Sequence, residues 1–255
     1  MPGAIPTGAI PDHMLGLGSP QWTPTSISSL RGWYGARFEV GLANGGNATF
    51  TDRSGYGNNL TGQGAVVPTW ITGVINGRPV YRFNGNDGFA EGTSLSGIAN
   101  WTQGPFTVFI VIRLDTTLEE DIIGSGTSGA GHMLLMVVDN AGPDVVRAHA
   151  WREAANANAI NGATTISTAT NYLVGQRVTS TQIEAFLNGA SDVGPTNLTG
   201  LVETGPSTFS VGGSTGRGAS RCDGDIAEAL FYTSALSDAD MNRVEAYLNS
   251  IYAIY

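Results

Sequence analysis

The sequence predicts an all-β protein, an antiparallel two-sheet sandwich that ends in one amphipathic helix. Short apolar segments alternate with turn residues along most of the chain, and the hydrophobic period becomes helical only after Ser237. The composition agrees with this class, since 36 glycines, 11 prolines and only 13% charged residues are typical of many tight turns between short strands. A chain of 255 residues is long enough to form one large all-β domain with a sizeable core.

Residues 1–24 are predicted to form an extended arm. Five prolines in this segment exclude a helix and disfavour a central strand. Because such a segment has no core of its own, we expect it to be ordered only against another surface, either its own sandwich or a neighbouring chain. The arm carries isolated apolar residues that would anchor it on a partner: Ile5, Ile10, Met14, Leu15, Leu17 and Trp22.

Nine segments beyond the arm have the apolar pattern of strands. Turn residues separate them, most clearly the dipeptides Asn76-Gly77 and Asn188-Gly189, which favour tight turns. Segments 172–179 and 182–187 are predicted to form a hairpin. The nine segments are 27–34, 79–83, 105–114, 133–138, 145–151, 172–179, 182–187, 208–211 and 226–232.

Two of these segments are predicted to lie inside a sheet, because they carry apolar residues on both faces. In segment 105–114 the larger face consists of Phe106, Val108, Ile110, Ile112 and Leu114, and the other face of Phe109 and Val111. In segment 226–232 one face is predicted to consist of Ile226, Leu230 and Tyr232, and the other of Ala227, Ala229 and Phe231.

The C-terminal helix is predicted from its start signal and its period. Ser237 is a candidate N-cap with Asp240 three residues on, and Leu236 can close over Met241 as a hydrophobic staple. Apolar residues then recur at helical spacing, at Met241, Val244, Leu248, Ile251 and Tyr252, while the opposite side carries Asp238, Asn242, Glu245 and Asn249. We therefore expect the helix to pack on a β-sheet.

The charge pattern argues against a nucleic acid partner. All twelve basic residues are arginine and the formal net charge is -9, so no basic surface for phosphate backbones is expected. The N-terminus lacks the features of a secretory signal, and no segment has the length of a membrane span, which predicts synthesis in a cytoplasm and no membrane insertion. The single cysteine, Cys222, is predicted to be a small buried residue beside a strand.

The sequence lacks the residue patterns of catalytic, metal and cofactor sites, so the protein is predicted not to be an enzyme. The acidic run Glu119-Glu120-Asp121 follows a predicted central strand and is interpreted as a solvated turn. The glycine-rich runs 124–129 and 212–218 are not followed by helices, which favours loops over phosphate-binding sites. The three histidines are scattered along the chain.

Loop-end acids and aromatic residues leave two kinds of binding open. Calcium could be held by such acids, although turn capping is the prediction for each of them: Asp52, Asp87, Asp139 and Asp223. A sugar could stack on Trp101, Trp151 or Tyr172, although such residues are more often buried in a sandwich core. No glycan site is predicted from these residues.

Four motifs occur together and in a recognisable order. They are Asp52-Arg-Ser-Gly-Tyr-Gly-Asn-Asn-Leu, Asn76-Gly-Arg-Pro-Val-Tyr-Arg-Phe-Asn-Gly, Phe186-Leu-Asn-Gly, and Gly224-Asp-Ile-Ala-Glu with the helix that follows. On these motifs the chain from residue 27 onward resembles the laminin-G-like, concanavalin A-like jelly-roll superfamily. The resemblance implies a jelly-roll domain over residues 25–255. That superfamily includes lectins, adhesion modules, glycoside hydrolases and domains of phage and other virion proteins.

Two functions of different classes follow as hypotheses. The first is a non-catalytic structural protein at a virion surface, a phage capsid decoration or tail protein, whose arm docks on a major capsid protein or on copies of itself. The alternative is a carbohydrate-binding lectin or adhesion module for surface glycans. A glycoside hydrolase ranks third, because the Glu-x-Asp-x-x-Glu run of the superfamily's hydrolases does not occur in this sequence.

Overall fold

The computed structural model describes ten parts of the chain, and in these parts fifteen strands form two sheets. The described residues are 22–64, 66–85, 89–92, 104–116, 120–127, 130–138, 144–150, 158–198, 209–213 and 221–255. With strands numbered along the chain, the first sheet contains β1 (Leu30–Gly35), β3 (Thr69–Ile75), β4 (Arg78–Asn84), β6 (Phe106–Leu114), β11 (Asn171–Val178), β12 (Gln182–Leu187), β13 (Ala190–Asn197) and β15 (Asp223–Tyr232). The second contains β2 (Thr61–Gln63), β5 (Phe89–Gly92), β7 (Glu120–Thr127), β8 (Ala130–Val138), β9 (Val145–Ala150), β10 (Asn158–Thr165) and β14 (Phe209–Val211).

The strand order confirms the predicted fold class. The first sheet has the order β13-β12-β11-β6-β15-β4-β3, with β1 paired to the second half of β15, and the second sheet has the order β10-β9-β8-β7-β14-β5-β2. Each pairing between these strands is antiparallel. One helix, α1 (Asp238–Tyr252), follows β15. The protein is therefore an antiparallel jelly-roll sandwich with one C-terminal helix.

Strand β6 lies between two hydrophobic clusters, as predicted. Its larger face, from Phe106 to Leu114, belongs to the core between the two sheets, which also contains Val146 and Phe209 of the second sheet. Phe109 and Val111 belong to a second cluster, which the first sheet forms with α1. The first sheet is therefore covered on both faces, by the second sheet and by the helix.

Strand β15 is also buried on both faces, but the predicted division of its residues was wrong. The register against β6 shifts between Ile226 and Glu228, which is a β-bulge. The bulge places Ile226 with Ala229 and Phe231 in the core between the sheets, and Ala227 with Leu230 and Tyr232 in the cluster under the helix. Strict alternation cannot predict this arrangement. The extra residue of a bulge moves the residues before it to the face of the sheet opposite to the one that alternation assigns them.

The helix begins where its sequence signals predicted. The Ser237 hydroxyl oxygen accepts a hydrogen bond from the Asp240 backbone N–H at 3.2 Å. Leu236 and Met241 are both buried in the cluster that α1 forms with the first sheet. The N-cap prediction is confirmed, and the apolar side of the helix packs on a sheet as expected.

Two interpretations of the segment after β6 were wrong. Glu120 and Asp121 do not form a solvated turn, since they begin β7 and are 2% and 0% exposed. Glycine run 124–129 is not a loop over its first four residues, because these residues of β7 pair with β8. The glycines of β7 interrupt the alternation of apolar and polar residues from which a strand is predicted. Glu119 lies outside the described residues.

In the parts of the chain that the structure describes, none of the helices has the length and apolar character needed to cross a membrane.

Candidate functional site

A groove of about 410 Å³ lies along one side of α1. One wall is the polar side of the helix, and the other is formed by the turn between β12 and β13 together with the last residue of the chain. The lining includes Gly189, Asn242, Glu245, Asn249, Ser250 and Tyr255. Amide, hydroxyl, carboxyl and phenol groups therefore meet in one groove.

Tyr255 forms the aromatic wall of the groove. The residue is 55% exposed, although its ring packs against the turn at Gly189. A methyl group at Gly189 would overlap the ring, and the φ angle of +78° at this residue also favours glycine. The Asn188-Gly189 dipeptide, which predicted a tight turn, therefore also provides a residue without a side chain, against which the Tyr255 ring packs.

Asn249 holds the chain end in place behind this wall. Its Oδ1 accepts hydrogen bonds from the backbone N–H groups of Ile254 at 2.7 Å and Tyr255 at 3.1 Å. Its Nδ2 donates to the Tyr255 carbonyl at 2.7 Å. The position of the tyrosine is thus set by a helix side chain six residues earlier in the chain.

Glu245 provides the one side-chain carboxyl group among the described residues that line the groove. The residue is 4% exposed, and among the described residues no hydrogen-bond partner contacts its carboxyl. Burial raises the pKa of Glu245 to about 7, while the positive charge of Arg177 acts in the opposite direction. This carboxyl changes its charge near neutral pH and has its hydrogen-bonding capacity available for a ligand.

Arg177 on β11 is occupied by other acids. It binds Glu184 of β12, with 2.7 Å from Nε to the carboxylate, and Asp238 of α1, with 2.6 Å from a terminal nitrogen to Oδ1. Its guanidinium is therefore held beside the helix and acts on Glu245 only through its charge.

A buried polar network attaches α1 to strand β15 of the first sheet. Glu228 of β15 is fully buried and accepts hydrogen bonds from Trp33 Nε1 at 2.5 Å, Arg37 Nε at 2.8 Å and Tyr252 Oη at 2.7 Å. Arg37 also donates to Tyr247 Oη at 2.6 Å. Since Tyr247 and Tyr252 belong to α1, the network fixes the helix that carries the groove. Glu228 was not predicted as a site residue, although an acid within an apolar strand is a usable signal.

Of the predicted arm anchors, Trp22 is the one within the described residues. Its ring packs edge-to-face on Tyr247 of α1, with 5.9 Å between ring centroids. Trp22 therefore contacts its own domain, next to the Glu228 network. The other anchors lie outside the described residues: Ile5, Ile10, Met14, Leu15 and Leu17.

Asp52 caps a turn, as predicted. It accepts hydrogen bonds from the backbone N–H groups of Trp33 at 3.0 Å, Ser54 at 2.8 Å and Asn58 at 2.9 Å. Asp223 is the first residue of β15, and Asp87 and Asp139 lie outside the described residues. Within the described ranges there is no group of three or more His, Cys, Asp or Glu residues that could hold a metal ion.

The remaining candidates lie in the core or outside the described residues. Tyr172 is 8% exposed and belongs to the core between the sheets, so it is not a sugar platform. Cys222 is fully buried, as predicted, and burial raises the pKa of its thiol well above the ordinary value. Trp101 and Trp151 lie outside the described residues.

The fold and motifs define a class of protein, and a family model identifies it. The Laminin_G_3 model of the concanavalin A-like lectin/glucanases superfamily matches residues 84–242, which is more than half of the chain. The chain therefore belongs to the concanavalin A-like lectin/glucanases superfamily, which confirms the resemblance seen in its motifs. A search of curated protein sequences found no match.

Three solved structures with the same fold are an arabinanase domain, a sialidase and the binding domain of a neurotoxin. Domain 4 of AbnA, a GH43 extracellular arabinanase from Geobacillus stearothermophilus solved with arabinotriose, has a TM-score of 0.60 at 15% identity over 85% of this chain and 98% of that domain. Trypanosoma rangeli sialidase with sialic acid has a TM-score of 0.59 at 16% identity over 88% of this chain and 34% of that one. The binding domain of botulinum neurotoxin DC with rat synaptotagmin II has a TM-score of 0.61 at 14% identity over 87% of this chain and 52% of that one.

These identities show a common fold and no more. This chain spans nearly all of the arabinanase domain, but about a third of the sialidase chain and half of the neurotoxin chain.

Proposed function

We propose that this protein is a non-catalytic carbohydrate-binding module of the lectin type, and that the groove beside Tyr255 holds the saccharide. The observation that carries the proposal is the groove itself, where an exposed tyrosine ring stands beside amide, hydroxyl and carboxyl groups. A sugar presents an apolar face of C–H groups and a rim of hydroxyls, so it needs both an aromatic surface and polar partners. The fold shared with an arabinanase domain solved with arabinotriose supports the same class of ligand.

A binding role fits the groove better than hydrolysis does. Glycoside hydrolysis needs two carboxyl groups on either side of the scissile bond, about 5 Å apart for retention of configuration and farther for inversion. Glu245 is the single side-chain carboxyl in the described lining. The other buried acids on the helix side of the sandwich already have partners, as Glu228 does in its network. We therefore propose recognition without bond cleavage.

Replacing Tyr255 by alanine is expected to weaken saccharide binding about 10-fold, equivalent to about 1.4 kcal/mol, because the stacking surface is lost. A glycan array would first select the ligand, and isothermal titration calorimetry would then compare the variants. Tyr56→Ala is the matched control, since Tyr56 is 46% exposed but stacks on Arg31 in the Asp52 turn, away from the groove. Equal binding by Tyr255→Ala and wild type would contradict a site in the groove, and the absence of any glycan ligand would contradict the proposed function.

A structural role at a virion surface is our second proposal, and the two roles are compatible. It is supported by the Pro- and Gly-rich composition of the arm and by the contact of Trp22, an arm residue, with Tyr247 of the domain. The arm would bind a capsid protein or another copy of this chain. Deletion of residues 1–21, which keeps Trp22, is expected to leave a folded domain that no longer joins its assembly. Normal incorporation of the truncated chain into particles, measured by sedimentation and gel analysis, would contradict this role.

A further inference from the structure

We infer that the groove selects neutral saccharides and rejects acidic ones, an inference that rests on the proposed function and specifies its ligand class. Among the described residues that line the groove, Glu245 is charged and no residue is basic. Because Glu245 is almost wholly buried, its side chain cannot move into solvent to avoid a ligand. An anionic sugar would bring its carboxylate towards a second carboxylate without a cation to neutralise either charge.

Arg177, the cation whose charge acts on Glu245, does not correct this imbalance. Arg177 is bound by Glu184 and Asp238, so its hydrogen-bond donors point to those acids and not into the groove. The chain contains no lysine, and its net charge of -9 adds a negative background. The other titratable group that interacts with Glu245 is Tyr255, whose pKa is raised by burial and by the Glu245 charge.

The polar groups that remain available favour a ligand that donates hydrogen bonds. Asn249 uses both its amide nitrogen and its amide oxygen to hold the chain end. The Ser250 hydroxyl donates to the Tyr247 carbonyl at 2.7 Å, which leaves its oxygen as an acceptor. The Glu245 carboxylate accepts only, and Asn242 can do both. Sugar hydroxyls supply such donors, and their bonds to an ionised carboxylate are the strong charge-assisted type.

The test compares matched neutral and acidic oligosaccharides at pH 8.5, where the Glu245 carboxyl is ionised. The probes are a printed array of neutral oligosaccharides with their sialylated and uronic acid counterparts, followed by calorimetry on the pairs that bind. Wild type is expected to bind a neutral member at least 10-fold more tightly than its acidic counterpart. Glu245→Gln, which keeps the size of the side chain and removes its charge, should reduce that ratio to about 2-fold. Glu91→Gln on β5 is the matched control and should leave the ratio unchanged.

The outcomes separate the inference from the proposed function. Tight binding of acidic members that is lost in Tyr255→Ala would overturn the inference and support a saccharide site in the groove. A preference for neutral members that persists in Glu245→Gln would also overturn the inference. If no member of either kind binds to wild type, the proposed function itself fails.

Discussion

Replacing Glu228 by alanine is expected to destabilise the fold by about 3 to 5 kcal/mol, the range for breaking a buried ion pair from one side. The carboxylate is fully buried and accepts hydrogen bonds from Trp33, Arg37 and Tyr252. Its removal leaves three donors without their acceptor, one of them the charged Arg37 guanidinium, whose side chain is 20% exposed. The loss should appear in equilibrium urea denaturation as a lower midpoint.

An exposed ion pair provides the control for this prediction. Arg243 pairs with Asp240 at 3.1 Å on the surface of α1, and its side chain is 61% exposed. Because solvent and salt screen such pairs, Arg243→Ala should change the free energy of unfolding by about 0.5 kcal/mol or less. A Glu228→Ala loss no larger than that of the control would show that the network does not hold the helix on the sheet.

Replacing Gly224 by alanine is expected to cost about 3 kcal/mol or more, from backbone strain and steric overlap together. Gly224 has a φ of +151° and lies in β15 between β4 and β6. A Cβ at this position would lie 2.6 Å from the Arg113 carbonyl oxygen and 2.7 Å from the Leu114 Cα. Both atoms belong to the backbone of β6, so no side chain can move aside to make room.

Gly104→Ala is the matched control for Gly224→Ala. A Cβ at Gly104 would have no atom within 4 Å, so the change should be neutral or slightly stabilising. Thermal and urea denaturation of the two variants would measure the difference directly. Equal stability of Gly224→Ala and Gly104→Ala would contradict the close approach of β15 to β6.

The edge strands that were not predicted from the sequence share a physical property. The four strands at the ends of the two sheet orders were not predicted: β2, β3, β10 and β13. They are largely exposed or half-buried, as in β13, where no residue is buried. An edge strand with solvent on one side and little core contact does not need a regular apolar pattern. The inner strands β5 and β7 were missed because one is short and the other is rich in glycine.

The groove could not be predicted because its walls are distant in sequence. The helical period assigned Asn242, Glu245 and Asn249 to the side opposite the apolar residues, and this prediction was wrong for Glu245, which is buried with Met241 and Tyr252. The Gly189 turn and Tyr255, which line the groove together with Asn242 and Asn249, are far from the middle of the helix in sequence or beyond its end. Trp101, Trp151 and Tyr172 were considered as sugar platforms, while Tyr255 was not, because nothing local distinguishes it from an ordinary terminal residue.

The sequence by itself determined the fold class, the inner strand β6 with its two faces, and the start of α1 at Ser237. These features follow from alternation and capping, which act between residues a few positions apart. Only the tertiary structure decided the bulge in β15, the Glu228 network and the groove, because each depends on contacts between distant segments. Trp33 and Glu228 are 195 residues apart in the chain, and their hydrogen bond exists only after β1 has paired with β15.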